Sequence, residues 1–561
     1  MDPERNARPA IELETIEAAP VPEAATQELV RMRDGVRLAT DVYVPDGAGP
    51  WPVVLVRLPY DKDGRYTFMP ALAPHVTRRG YAFVVQDVRG KFRSDGETRP
   101  FVHEMDDGYD TLDWISVQPW AGPVGMFGDS YYGFTQWAAV ASGHPALRAI
   151  VPRVTSAQLR RWLSGGAQPL YGAQYLAECW ADTRMHTWPI DWSRRPLVEV
   201  FDEGFAAIGQ RSQGFDRVVR GAKDANADPY PPGAHPFDRL AIPVLHCVGW
   251  FDNISPEHMR DYTRLVADPR LAPLQYLIAD ATDHENYQLA DTPVPQHLDH
   301  DVDEEALERM IPGYLGPALD FFDVVLAGTG DGEALPRVRW RLGADEWRTS
   351  AAWPPPESRE LRLMLGDAPA AAGGEEGGVL ATGVDEPSVV EWVHDPDDLV
   401  PSTVVDPFAF LHEFPDERAV EGRPDVLTFT GRPLIEPLDL AGPVRALLRV
   451  GSSAPSMHVH VKLVDVAPDG RALMLLRGQG AVATPGDDAT AVTLDLGHTG
   501  YRLEPGHRLR LHVASSDFPL YVPHPGTDAD PWFATETVAN RQRLVCGGPE
   551  PSSLTITVVQ R

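Results

Sequence analysis

Short apolar runs, separated by polar stretches of helical period, dominate the first third of the chain. Residues 29–44 alternate apolar and polar positions around Arg33-Asp34-Gly35, a pattern that predicts a hairpin opening a sheet. Residues 52–57 (Pro-Val-Val-Leu-Val-Arg) and 81–87 (Tyr-Ala-Phe-Val-Val-Gln-Asp) are continuous apolar runs. Runs of this kind are buried on both faces of a parallel sheet. A helix is expected over 107–115, a strand approaching residue 124, a helix over 135–141 and a strand over 149–153. Strands alternating with helices in this way predict a doubly wound α/β sheet.

Regular alternation stops after Arg153. Residues 155–235 are rich in Trp, Arg, Gln and Gly at helical spacing and read as a helical cap inserted into the sheet domain. The strand pattern resumes at 242–249 and 274–279, and a helix over about 304–326 closes the unit. Beyond Pro336 the strand-like runs (338–342, 361–365, 446–450, 458–466, 473–476, 492–496, 508–514, 553–559) are broken by Pro, Gly and Asp. These predict an antiparallel β-sandwich or jelly roll. Residues 368–378, rich in Ala and Gly, read as a surface loop. The expected organisation is an N-terminal extension over 1–28, a sheet domain over 29–153 and 241–335, a cap over 154–240, and a β domain over 336–561.

Composition narrows the class of function. A chain of 561 residues exceeds one hydrophobic core. Its 50 basic against 81 acidic residues, net −31, argue against a nucleic-acid backbone or an anionic membrane as partner. Cys179, Cys247 and Cys546 are odd in number and far apart, so buried free thiols are expected rather than a disulfide framework or metal knuckle. Residues 1–27 are polar and acidic without an apolar signal region. No run was expected to supply the ~20 apolar residues of a spanning helix. A cytoplasmic setting is the expectation.

The chemistry gathers at residues 125–133, Gly-Met-Phe-Gly-Asp-Ser-Tyr-Tyr-Gly. The local period switches there from strand to helix. Gly128 suits a turn too sharp for a side chain, and the turn presents the Ser130 hydroxyl above the sheet edge. The helix start behind it offers N–H groups and a positive dipole end to an oxyanion. A Ser nucleophile needs a base, and the base an orienting carboxylate. Asp252 and His284 follow in the right order, each in a loop after a predicted strand, where functional groups of such sheets collect. Asp280 and Asp283 compete with Asp252 but lie inside the loop of His284 itself. For the oxyanion, the Tyr131 N–H is one expected donor. The loop Leu58-Pro59-Tyr60-Asp61-Lys62 lacks the usual Gly-rich backbone, so the Tyr60 hydroxyl is the other.

These residues carry a resemblance. Arg57-Leu58-Pro59-Tyr60-Asp61-Lys62, Gln86-Asp87-Val88-Arg89-Gly90, Gly128-Asp129-Ser130-Tyr131-Tyr132-Gly133 and Glu346-Trp347-Arg348 with Trp353-Pro354-Pro355 resemble the cocaine esterase group. That group is related to X-prolyl dipeptidyl aminopeptidases and α-amino acid ester hydrolases. The similarity also takes in residues 32–38 and 427–434, and so runs over roughly 30–561. It implies an α/β-hydrolase sheet domain with an inserted helical cap and a C-terminal β jelly-roll domain. It further implies a triad of Ser130, Asp252 and His284, with Tyr60 and Tyr131 as oxyanion donors.

The expectation is a serine hydrolase that cleaves a small-molecule carboxylic ester or amide through an acyl-enzyme. No cofactor or metal is required, and the expected partner is a small-molecule acyl substrate, with a homodimer left open. Rival readings are an acyltransferase or amide-forming enzyme with the same triad, an X-prolyl dipeptidyl peptidase, and a non-catalytic ligand-binding protein. His458 and His460 share one strand face and read as surface residues rather than half a metal site. Residues 299–305 read as an acidic helix opening rather than a calcium loop. Trp162, Tyr171, Trp180, Trp188 and Trp192 divide between the core of the cap and the acyl site.

Overall fold

The computed structural model describes residues 17–159, 170, 191–208, 215, 219, 230–289, 304–332, 335–344, 346–374, 377–384, 386–404, 406–484 and 489–559. Among these, ten strands form one sheet: β1 (Thr26–Arg31), β2 (Arg37–Tyr43), β3 (Trp51–Leu58), β4 (Ala82–Asp87), β5 (Ala121–Asp129), β6 (Leu147–Arg153), β7 (Val244–Gly249), β8 (Gln275–Asp280), β9 (Val338–Leu342) and β10 (Glu346–Ser350). Their order is β1-β2-β4-β3-β5-β6-β7-β8-β9-β10. The block from β4 to β9 is parallel, and antiparallel hairpin strands finish both edges.

Alternation along β3 shows why the apolar runs are continuous. Val53 and Leu55 face one layer and Val54 and Val56 the other, all at 0% exposure. Helices α1 (Met69–Arg78) and α6 (Glu304–Phe322) cover the Val54 face, where Phe127, Tyr314, Phe321 and Phe322 complete the core. Helices α2 (Glu104–Ser116), α3 (Ser130–Ser142) and α5 (Ser255–Ala267) cover the other, through Leu112, Trp137 and Leu265. The segment Glu304–Ala327 is long and apolar enough to cross a membrane by length and composition, contrary to the reading of the sequence. Its apolar side chains instead pack on this sheet.

Two expected boundaries are corrected. The first strand begins at Thr26, inside the expected extension, and Ala19 N–H donates to the Asp61 carboxylate at 2.8 Å. Strands β9 and β10 lie beyond residue 336 yet belong to the α/β sheet. Pairing with β9 covers the main-chain groups that β8 would otherwise leave open at a sheet edge.

The remaining strands run from β11 (Ser358–Gly366) to β21 (Ser553–Val559) in an all-β unit of mostly antiparallel pairs. Its central strand β15 (Leu438–Ser452) pairs with β18 (Thr490–Leu503), β20 (Asn540–Cys546) and β21. His458 and His460 on β16 (Ser456–Val466) are buried at 2% and 4%, not exposed as expected, because Tyr521 and His524 from a long loop pack against them. Cys247 and Cys546 are buried free thiols.

Of the cap, helix α4 (Val198–Ile208) is described, and Val198 N–H donates to the Trp532 carbonyl of the β domain. Cys179, Trp162, Tyr171, Trp180 and Trp188 lie outside the described residues, as does most of the stretch 299–305.

Candidate active site

The carboxyl ends of β3, β5, β7 and β8 emerge along one edge of the sheet, and each carries an expected site residue within a few positions. The chain leaves β3 in one direction and returns to β5 on its other side, so β3 and β5 flank the switch point at which such sheets form a crevice. Tyr60 follows β3 and Ser130 follows β5.

At the end of β5 the backbone turns abruptly. Gly128 has φ +146°, and a Cβ there would fall 2.1 Å from Cδ2 of Tyr132. Ser130 itself holds φ +49°, a left-handed conformation costly for a side-chain residue. The turn is held from below. The Gln136 amide donates to the carbonyls of Gly128 (3.1 Å) and Val151 (3.2 Å) and accepts from Val151 N–H (2.9 Å), tying α3 to β5 and β6. Thr155 Oγ1 donates to the Ser130 carbonyl at 2.6 Å. Tyr131 turns its side chain away: its hydroxyl donates to Glu104 at 2.8 Å and accepts from Phe101 N–H. Its N–H lies in the first turn of α3, where the helix itself supplies no acceptor.

Asp252 and His284 meet. His284 Nδ1 lies 2.7 Å from Asp252 Oδ1, with His284 8% and Asp252 4% exposed. The two loops can approach because β7 ends in Gly249, where a Cβ would sit 2.5 Å from the Thr282 carbonyl. Trp250 N–H donates to Asp280 O and Phe251 N–H to Thr282 O, lacing one loop to the other. Burial pulls the His284 pKa down, while the Asp252 carboxylate, helped by Glu285 and Asp129, pushes it up; the net lies above its ordinary 6.5. Arg153 pairs with Asp129 at 3.1 Å and donates to Asn286 at 2.7 Å, which ties the loop of His284 to the nucleophile turn.

The competing carboxylates are engaged elsewhere. Asp280 accepts from Ala281 N–H and pairs with Arg341 at 3.2 Å. Asp283 is fully buried and accepts three N–H bonds: from Glu285 (3.1 Å), Tyr287 (3.0 Å) and Leu411 (2.9 Å). The last donor belongs to the β domain. Glu285 N–H donates to Phe408 O, and the Phe408 ring stands 5.2 Å from the imidazole. The β domain therefore clamps the histidine loop. No sequence signal connects positions so far apart, and reading the chain alone missed Asp283 and Phe408 in these roles.

Tyr60 is half-buried between the rings of Tyr66 (5.7 Å) and Tyr132 (6.2 Å). Its loop is anchored by Lys62, whose ammonium is fully buried, pairs with Asp41 at 2.9 Å and also contacts Asp63. Burial, with Asp41 close by, pushes the Asp63 carboxyl up to about 7. Among the described residues no group of three or more His, Cys, Asp or Glu side chains is placed to hold a metal ion.

Comparison with known proteins bears on the same residues. Residues 34–286 match the family model of X-Pro dipeptidyl-peptidase (S15 family), and residues 331–555 that of the X-Pro dipeptidyl-peptidase C-terminal non-catalytic domain. Cocaine esterase of Rhodococcus sp. (strain MB1 Bresler) is 33% identical, over 96% of this chain and 99% of its own. The chain belongs to the cocaine esterase family. It is therefore a serine ester hydrolase. Two solved structures share the fold. An α-amino acid ester hydrolase matches with a TM-score of 0.77 and 25% identity, over 95% of this chain and 96% of its own. An aminopeptidase from a marine sediment Thaumarchaeota archaeon matches with a TM-score of 0.79 and 23% identity, over 98% and 99%.

Proposed function

We propose that this serine hydrolase cleaves small-molecule carboxylic esters through an acyl-enzyme carried on Ser130. The observation that carries the reading is the buried, hydrogen-bonded Asp252–His284 pair, whose loop is tied through Asn286 and Arg153 to Asp129 of the strained turn at Ser130. In this reading Ser130 Oγ attacks the ester carbonyl carbon while His284 Nε2 takes its proton. The carbonyl oxygen becomes an oxyanion, stabilised by Tyr131 N–H and the Tyr60 hydroxyl. Collapse of the adduct breaks the bond to the alkoxide, and His284 returns the proton to that oxygen. Water then attacks the acyl-enzyme by the same route, releasing the acid and restoring Ser130. Asp252 keeps the proton of the imidazole on Nδ1 and stabilises the imidazolium that forms.

An ester is favoured over an X-prolyl peptide by the apolar environment around the turn. Tyr131, Phe134 and Ile254 join Phe201, Phe205 and Phe215 of the cap and Phe518 and Trp532 of the β domain in one buried cluster. An apolar core packed against the turn disfavours bringing a charged peptide N-terminus there and favours a neutral acyl group. Labelling with a fluorophosphonate followed by peptide mapping tests the assignment, with modification expected at Ser130. Labelling at another residue overturns the mechanism, and faster cleavage of Gly-Pro anilides than of p-nitrophenyl esters overturns the substrate class.

A further inference from the structure

The sheet face covered by α6 holds a cavity of about 400 Å³, which neither Ser130, Asp252 nor His284 lines. Its base is formed by the carboxyl ends of β6 to β9 and its cover by α6. Local sequence explains the empty volume. Along the cavity α6 has the exposed Pro312-Gly313 and the half-buried Gly316-Pro317, and a Cβ at either glycine would meet nothing within 4 Å. Glycine in a helix interior costs about 1 kcal/mol relative to Ala, and no close packing is gained here in return. The size lies in the range of small-molecule sites, roughly 300–1,000 Å³.

Charged side chains on the lining of the cavity are paired unevenly. Three guanidinium groups line it: Arg153, Arg339 and Arg341. Arg153 is matched by Asp129 at 3.1 Å and Arg341 by Asp280 at 3.2 Å. Asp320, also on the lining, shares Arg79 with Asp323, each at 2.6 Å. Arg339 lies over the Trp347 ring at 4.2 Å, and among the described residues no carboxylate pairs with it. Arg341 is two positions along the same strand face, 5.6 Å from that ring, and its buried Nε has no hydrogen-bond partner among the described residues. Arg339 thus has no carboxylate, and the Nε of Arg341 no acceptor, among the described residues.

We propose that this cavity is a second small-molecule site, taking an organic monocarboxylate held by Arg339 and Arg341 with its apolar body against Tyr314 and Pro317. One carboxylate supplies the acceptor that Arg339 and the Arg341 Nε lack, and a guanidinium presents donors in the geometry that a carboxylate accepts. A dianion would be repelled by the carboxylates of Asp280 and Asp320 on the same lining. The site is tied to the reaction centre but separate from it. Arg153 pairs with Asp129, next to Ser130, and donates to Asn286, two residues after His284, at 2.7 Å.

Calorimetric titration of benzoate into enzyme inactivated with phenylmethylsulfonyl fluoride tests this, because the sulfonyl group keeps benzoate out of the acyl pocket. One benzoate per chain is expected. Arg339→Ala should weaken binding at least about tenfold, as loss of a charge-assisted bond requires. Gly316→Phe, whose ring would enter the empty volume, should abolish binding while leaving ester turnover of the untreated enzyme intact. If the helix variant does not fold, Arg339→Ala decides alone. Absence of binding to the wild-type protein, unchanged affinity in Arg339→Ala, or tighter binding of inorganic phosphate than of benzoate overturns the proposal.

Discussion

Replacing Asp252 by Asn preserves the outline of the side chain and removes its charge, and the structure fixes what each change does to His284. The carboxylate oxygen is 2.7 Å from Nδ1, which puts the centres of the two charges about 4 Å apart. At the effective dielectric of ~20 that suits protein sites, this is worth about 4 kcal/mol, or about 3 pKa units at 1.36 kcal/mol per unit. Burial, now unopposed by that charge, pulls the imidazole down. His246 is an internal standard for where it goes. It is fully buried, has Gln275 as a partner at 3.0 Å in place of a carboxylate, and is pushed down by burial to about 4. The midpoint of the rise in kcat/KM with pH should therefore fall from above 6.5 in the wild type to between about 4 and 5 in the variant.

Turnover on the plateau should fall as well, by about 10³–10⁴, for a separate reason. Asp252 Oδ2 is buried without a hydrogen-bond partner among the described residues, so no acceptor there would hold the NH₂ of an Asn away from His284. The amide NH₂ can then face Nδ1 and force the proton onto Nε2, where a base must be unprotonated. The assay is kcat/KM for a p-nitrophenyl ester from pH 4 to 9, in both proteins, with circular dichroism to show that the fold is kept. A variant with full plateau activity, or with a midpoint at or above that of the wild type, would refute the assignment of Asp252.

Tyr60→Phe should lower kcat by about 10²–10³ with little change in KM, measured on the same ester, since one oxyanion donor is lost while the ring stays. Asp283→Ala removes the acceptor of three N–H groups, and a displaced imidazole should cost up to about 10²-fold in kcat. Its pH midpoint should stay at the wild-type value; a midpoint that drops as in Asp252→Asn would make Asp283 the orienting acid instead. Lys62→Met strands Asp41 and Asp63 without their buried cation and should destabilise the fold by about 3–5 kcal/mol at neutral pH. Urea denaturation measures it, and a loss below about 1 kcal/mol would mean that protonation of Asp63 replaces the cation without cost.

The parts that could be read from the sequence are those encoded by neighbours along the chain. Continuous apolar runs gave β3 and β4, and the change of period at residues 128–130 gave the nucleophile turn. Strand-end positions gave Asp252 and His284, although choosing Asp252 over Asp280 and Asp283 on spacing left the rivals standing; the 2.7 Å contact separates them. What stayed hidden depends on partners remote in sequence. β9 and β10 look like any antiparallel strands, and only the open edge of β8 recruits them to the first sheet. His458 and His460 carry polar side chains on a strand, a pattern that reads as solvent-facing until a loop some 60 residues downstream covers it. The cavity under α6 was likewise invisible, because helix-weakening Gly and Pro look the same whether they leave a void or a kink.

The β domain is best understood from the groups it gives up to the hydrolase. A β-sandwich that binds sugars leaves a concave face or loop set open to solvent. Here the loop carrying Phe518, Val522 and Trp532 is spent on the cluster shared with Tyr131 and the cap helix, and Leu520 O accepts from Leu170 N–H of the cap. The segment around Phe408 and Leu411 is spent on the histidine loop. Underneath, the sheet face bearing His458 and His460 is sealed by that same long loop, and burial holds the imidazole of His460 neutral near a pKa of about 4. Each of these contacts removes a surface from solvent and fixes a wall or a positioning group of the reaction centre. Separating the β domain from the rest would uncover apolar area on both sides and release the loop of His284. In this fold, catalysis and the docking of the second domain are one packing problem.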